Sequence, residues 1–401
     1  MAKPGFREWI AAGAAIADGG LMRYDSRLKF TQKFETRFAD MIGAKRALAV
    51  NNGTAALSTA LAAAGIGPGD EVLVPAYTWM ATPAAPVLAG AVPVLVDIDE
   101  SLTIDPADIE RKITPYTKAI IPVHMVNAPA NMDAIMAIAR RRGLLVIEDA
   151  CQAVGVQYGD RYCGSIGHMG AFSFNRYKNM SIGEGGAVCT SEPRLYDRAL
   201  NFHDLGVWAR DLGMDATTEP VFVGGNLRVT EIQTAMLNVQ LSKLKRSLAN
   251  WKARRKAMAE EIERAGNLRI SPHHSPDNAV TLTVIFDRES EAEAFAQQRG
   301  VTRVFDNSKH VYTNWRAIME KRTAHPKFNP WAWANREITY TTDMCARTLD
   351  ILRRTCRIGL GERWPVPVMR YAARRLAASG QRMPAAAATS EQVVGAAGRA
   401  A

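Results

Sequence analysis

The sequence predicts an α/β fold in which a mostly parallel, seven-stranded sheet lies between helices and is followed by a smaller α+β unit. Three observations predict it. Between about residues 46 and 190, seven short apolar runs (RALAV, EVLVPAY, VPVLVDID, AIIPVHM, LLVIEDA, GAFSFN and GAVCT) alternate with segments of helical spacing. These runs lack an alternating polar face, as strands covered on both sides do. Beyond them the pattern changes to one long helical stretch and then to shorter mixed elements.

Taken in order, RALAV is a strand that leads into Asn52-Gly53-Thr54-Ala55-Ala56-Leu57, the opening of an alanine-rich helix. EVLVPAY runs into the aromatic pair Tyr77 and Trp79, and LLVIEDA ends on Glu148-Asp149-Ala150-Cys151-Gln152. GAFSFN leads through Ser173-Phe174-Asn175-Arg176-Tyr177-Lys178 to Gly183-Glu184-Gly185-Gly186. The helix expected from about Val229 to Ala265 carries apolar spacing at Ile232, Ala235, Met236, Val239, Leu241 and Leu244 and reads as a bridge out of the first domain. VTLTVIF at 280–286, ESEAEAFAQQRG and a helical 343–357 make the second unit. The expected division is a large domain over 1–245, N-terminal segment included, a small one over 246–380, and a disordered, alanine-rich tail over 381–401.

At 401 residues and 47% hydrophobic, the chain has enough apolar mass for a substantial core. No apolar run reaches the roughly 18 residues of a membrane helix, and Lys3, Arg7 and Glu8 leave the N-terminus without the apolar stretch of a signal peptide. A cytoplasmic location and no membrane partner are expected. Five cysteines without a CxxC pair indicate reduced core thiols rather than a disulfide framework or a zinc site. The net charge of +10 is scattered, with clusters at 243–256 and 353–375 that read as solvated helix faces. Neither a helix-turn-helix nor interleaved basic and aromatic residues is present, so a nucleic-acid partner and a basic regulatory protein are disfavoured. The charge suits an anionic substrate such as a phosphate, a nucleotide sugar or a sugar acid.

In mostly parallel sheets ligands bind beyond the strand ends, so the groups there carry the chemistry. Lys178 is on a glycine-ended loop just past a strand. Asp149, at another strand end, read alone is a helix cap or a metal ligand. Paired with Lys178 it suits pyridoxal phosphate (PLP), whose pyridine nitrogen needs a carboxylate to stay protonated and act as an electron sink. The amides and hydroxyl around Gly53 and Thr54 suit a phosphate, or form an ordinary helix start. Trp79 suits stacking on a flat ring, or is core. No metal site is expected.

These blocks, in this order, resemble the DegT/DnrJ/EryC1/StrS family of fold-type I PLP enzymes, the sugar aminotransferases, from about residue 20 to 375. The pieces are NGTAAL, EVLVPAYTWMAT, AGAVPVLVDID, ITPYTKAIIPVHM, VIEDACQA, SFNRYKNMSIGEGGAV and GGNLRVTEIQTAMLNVQL. The resemblance implies that Lys178 holds the cofactor and moves the proton and that Asp149 pairs with the ring nitrogen. It puts Gln152 near the phenolic oxygen, Trp79 on the ring, and Gly53, Thr54, Ala55 and Ser173 at the phosphate. Asn226 matches an asparagine that reaches the phosphate from a neighbouring subunit, which implies a homodimer with shared sites. His310, Arg23, Tyr24 and Arg228 are candidates for the substrate.

The implied reaction moves an amino group from glutamate or glutamine to a keto-sugar, in amino-sugar or natural-product (antibiotic) biosynthesis. A lysine at 178 argues against the dehydratase branch, which carries histidine there. A dehydrating aminohydroxybenzoate-type enzyme and a cyclitol aminotransferase are the alternatives. Two departures stand out: Asn127 replaces a usual glycine, in a turn that asparagine tolerates, and Asp306–Trp315 departs from the usual Tyr-Pro-x-Pro-Leu-His. That variant is closer to relatives acting on eight-carbon sugars, such as the 8-amino-octulosonate-forming transaminase.

Overall fold

The computed structural model describes residues 4–206, 219–361 and 364–380. Two helices, α1 (Phe6–Asp18) and α2 (Phe30–Ile42), precede the alternation of strand and helix. It runs β1 (Arg46–Val50), α3 (Gly53–Ala63), β2 (Glu71–Pro75), α4 (Ala81–Leu88), β3 (Val92–Val96), α5 (Pro106–Lys112), β4 (Thr117–Ile120), α6 (Met132–Arg142) and β5 (Leu145–Asp149). A short hairpin, β6 (Gln157–Tyr158) and β7 (Arg161–Tyr162), separates these from β8 (Met169–Ser173), β9 (Gly186–Thr190) and α7 (Pro193–His203).

Seven strands form one sheet in the order β1-β9-β8-β5-β4-β2-β3. Every neighbouring pair from β8 across to β3 is parallel, whereas β9 runs antiparallel to both β1 and β8. β9 follows β8 through a loop without a helix, so it returns beside its predecessor instead of crossing over. The expected α/β sheet is present, with one strand reversed.

Both faces of the sheet are buried, which is why its strands read as continuous apolar runs. Along β1 the side chains alternate: Leu48 and Val50 join a cluster with Leu57 and Leu61 of α3 and Ile135 of α6. Ala47 and Ala49 join Phe34 and Phe38 of α2 on the opposite face. The small alanines leave room for those phenylalanines, which stack edge-on against Phe172 and Phe174. All five cysteines are buried and unpaired.

Helix α8 (Glu231–Ala265) starts two residues later than its periodicity suggests. Thr230 caps it, its hydroxyl accepting the Gln233 amide while the Gln233 side chain accepts the Thr230 amide. Leu237, Leu241 and Leu244 pack in the second cluster, whereas Met258, Ala259 and Ile262 pack in a third around a separate sheet. Position 245 thus falls inside one continuous helix that serves both.

The second sheet is antiparallel, ordered β10-β11-β13-β12, from β10 (Arg269–Ile270), β11 (Thr283–Ile285), β12 (Val301–Arg303) and β13 (Thr355–Ile358). Helices α9 (Glu289–Ala296), α11 (Ala346–Arg354) and α12 (Val366–Gly380) accompany it, whereas Ile318 of the short α10 (Arg316–Met319) packs in the first cluster. One expectation is corrected here. The helix read over 343–357 ends at Arg354, and Thr355–Ile358 is one of the two inner strands of this sheet, claimed by pairing on both edges. The tail over 381–401 lies outside the described residues. No helix among the described residues is long and apolar enough to cross a membrane.

Candidate active site

The carboxyl ends of β1, β2, β5 and β8 converge on a cleft of about 1430 Å³, the position expected for a ligand in an open α/β sheet. Asp149 is the last residue of β5 and is 4% exposed. Its Oδ2 accepts the Thr82 hydroxyl at 2.8 Å and its Oδ1 the Cys151 amide at 3.1 Å. Thr82 in turn bonds Thr78 at 2.8 Å. These donors orient the carboxylate, and among the described residues no cation pairs with it. A buried carboxylate that opens into a cleft without a cation is suited to a cationic ring.

The residue before it anchors the strand end. Glu148 is fully buried, and its oxygens accept the amides of Gly164, Ile166 and Gly167 at 2.6–2.7 Å. Nε2 of His124 completes the set at 2.8 Å, while Nδ1 of the same ring accepts the Ala130 amide, so the proton resides on Nε2. His124 is therefore a satisfied core histidine. Replacing Glu148 with Ala strands four donors and is expected to cost on the order of 3 kcal/mol or more of stability, read from urea unfolding.

Lys178 follows β8 on a loop folded back on itself. The Phe174 amide bonds the Gly185 carbonyl, the Arg176 amide that of Gly183, and the Lys178 amide that of Asn175. Gly183 at φ 101° makes the return possible. Asn179 pins the next position, donating to the Asn127 side chain at 2.6 Å and to the Val154 carbonyl at 3.1 Å. Asn127 is left-handed, at φ 66°, as expected of the residue replacing glycine. Val126 beside it is left-handed as well, at φ 47°, a strained state for a β-branched residue, and its amide is taken by Gln152 Oε1. Lys178 is half-buried, in the cleft, and has no carboxylate partner among the described residues.

The third element is the start of α3. Asn52 caps it by accepting the Ala55 amide at 2.8 Å, so that amide is already engaged, and the Gly53 and Thr54 amides remain in the first turn, which has no intrahelical acceptor. Gly53 is required: a Cβ there would lie 2.8 Å from Ser173 Cβ and 3.0 Å from Cys151 Sγ. Cys151 is an inert wall, since burial and then the Asp149 charge push its thiol far up. Trp79, 45% exposed, stands over the cleft with its ring 5.7 Å from His310.

His310 is held near pKa 4 by burial and then by the charges of Lys178, Lys309 and Arg357. Burial holds His273 near 4 and His203 near 3 in the same way. With folded values below the ordinary 6.5, these rings take up protons more readily when unfolded. Stability is therefore expected to be full above about pH 6.5 and to fall as the pH drops toward 4. Urea midpoints across that range check the fall, and NMR of the ring protons checks that all three stay neutral at pH 6.

Of the residues singled out from sequence, Lys178, Asp149, Gln152, Ser173, Gly53, Thr54, Ala55, Trp79 and His310 line one cleft. Four do not line it. Arg23 is paired with Glu35, and Tyr24 and Arg228 both bond Asp204. Asn226 bridges to Asp204, with Gly225 and Leu227 on either side of it at the cleft rim. Thr78, Thr82, Asn179 and Arg357 are additional; the PAYTWMAT block contains both threonines at helical spacing, which is their only sequence signal.

Sheet order and site together define a class, the fold-type I pyridoxal-phosphate enzymes. Residues 14–338 match the model of the DegT/DnrJ/EryC1/StrS aminotransferase family, and the chain belongs to that family. It is similar to the GDP-perosamine synthase of Caulobacter vibrioides, 43% identical over 251 residues, which are 61% of this chain and 65% of that protein, less than two thirds of the relative's length. Among solved structures, 3-amino-5-hydroxybenzoic acid synthase superposes with a TM-score of 0.79 at 26% identity, covering 95% of this chain and 98% of the other. DesV from S. venezuelae, in complex with a ketimine intermediate, does so with a TM-score of 0.71 at 28% identity over 94% and 95%. The family's cofactor, pyridoxal phosphate, is the cofactor of this chain, and the uncompensated Asp149 carboxylate and the side-chain-free approach at Gly53 fit its ring nitrogen and phosphate.

Proposed function

We propose that the protein is a PLP-dependent aminotransferase that moves an amino group from glutamate or glutamine to the keto group of a sugar, nucleotide-linked, in amino-sugar biosynthesis. The observation that carries this reading is Lys178: an amine without a carboxylate partner, on a pinned loop in the same cleft as the cation-free Asp149. The likeness to a GDP-perosamine synthase supports the nucleotide-linked acceptor.

When bound, the cofactor supplies an electron sink for the substrate carbon next to the transferred nitrogen. Asp149 keeps the proton on the ring nitrogen, and the Gly53 and Thr54 amides with the Ser173 hydroxyl hold the phosphate. Nζ of Lys178 takes the proton leaving the donor's α-carbon and returns a proton to the carbon that was the sugar carbonyl. Trp79 covers one side of the ring and excludes water. Neutral His310, its Nδ1 buried and without a partner among the described residues, contacts the sugar.

The active unit is a homodimer in this reading, with Asn226 serving the neighbouring copy. Exposed Met80, Leu88 and Val223 support a covered face near the cleft. Incubation with PLP tests the function: a visible absorbance band that shifts on adding glutamate is expected, and no band in the wild type refutes it. Light scattering tests the dimer.

A further inference from the structure

Arg357 has no counter-charge among the described residues. It lies on β13, opposite Thr283 of β11 and Thr302 of β12, in the middle of the second sheet. Cys356 and Ile358 on either side are buried, whereas Arg357 is exposed to the cleft. Other arginines of this sheet and its helices are matched: Arg303 by Glu289, Glu293 and Asp306, Arg354 by Asp350, and Arg269 by Glu100. Two further basic residues, Lys178 and Lys309, line the same cleft as Arg357.

A neutral donor is on the same face. The Ile358 amide bonds the Leu282 carbonyl, carrying the β11–β13 pairing one step on and setting Thr281 on the side of Thr283 and Arg357. The Thr281 hydroxyl is buried without a partner among the described residues, on a residue 6% exposed that lines the cleft. Basic side chains that share one cleft, with an unsatisfied donor on the face of Arg357, are costly unless an anion joins them. The cofactor phosphate does not supply it, because Gly53, Thr54 and Ser173 hold that group on a different wall.

We propose that Arg357, with the Thr281 hydroxyl and with Lys309 at the mouth, forms an oxyanion subsite for the anionic group of a substrate. A guanidinium takes either a carboxylate or a phosphate by two parallel hydrogen bonds. The sources are thus a carboxylate, of the amino donor or of an acidic sugar, and a phosphate of a nucleotide-linked sugar. The proposal rests on the aminotransferase reading above.

The test is calorimetric titration of the PLP-loaded enzyme with glutarate, a dicarboxylate that carries no amino group, and separately with inorganic pyrophosphate. Arg357→Met is expected to weaken at least one probe by about tenfold or more, and Arg357→Lys by less. Weakening of glutarate alone identifies a carboxylate, of pyrophosphate alone a phosphate, and of both a general oxyanion site. Unchanged binding of both probes in Arg357→Met, or no binding of either by the wild type, overturns the proposal. The glutamate-induced shift of the visible band is recorded on the same samples. If it is present while the anion result is negative, the subsite fails and the aminotransferase reading stands; if it is absent, the reading itself fails.

Discussion

Lys178→Ala is expected to lose turnover by on the order of 10⁴-fold or more while the protein stays folded. A positioned acid–base group contributes roughly 10²–10⁴ by itself, and loss of the covalent hold on the cofactor adds a positioning penalty. The half-buried side chain is not part of the core, and its loop is held by backbone bonds of Phe174, Arg176 and Lys178 and by the Asn179 side chain, none of which the substitution removes. Stability by urea unfolding should therefore move little. Steady-state kinetics with glutamate as donor reads the loss, and retained full activity would remove Lys178 from the mechanism.

Asp149→Ala is the second large effect. Among the described residues the carboxylate is the one buried anion that opens into the cleft, and removing a preorganised charge from such a site costs roughly 10²–10³ in kcat. Asp149→Asn keeps the shape and the Thr82 bond but removes the charge, so it should fall almost as far, which separates the role of the charge from that of packing. Thr82→Val is expected to do less, because the Cys151 amide still holds Oδ1. The visible spectrum of each loaded variant supplies a second readout, since the band reports whether the ring nitrogen is protonated.

The large sheet was legible because strands buried on both faces have to be apolar throughout, and RALAV, EVLVPAY and their successors meet that condition. Strand β13 was not legible. Thr355-Cys356-Arg357-Ile358 follows α11 with no glycine or proline between, so the helical pattern read straight through it. Arg357 was lost with the strand, since its position becomes informative only when β11 and β12 pair with it.

Within the site, Lys178, Asp149 and Thr54 were legible because each lies at or just past the end of a strand. The Asn52 cap on the Ala55 amide was not, since a helix start offers the same amides to its own cap and to a ligand. The bond from Thr82 to Asp149 crosses 67 residues of chain and leaves no local trace. Arg23, Tyr24 and Arg228, substrate candidates by sequence, are engaged in the folded chain by Glu35 and Asp204, pairings that leave no local trace in the sequence. Of the basic cluster at 353–375, Arg354 pairs with Asp350 and Arg370 and Arg374 both pair with Glu261, whereas Arg357 has no counter-charge among the described residues.

The central claim is that one particular lysine holds the cofactor. Borohydride reduction of the PLP-loaded protein fixes the cofactor to the amine that carries it, and peptide mass spectrometry then locates it. The phosphopyridoxyl group is predicted on Lys178; finding it on another lysine, or on none, would contradict the account.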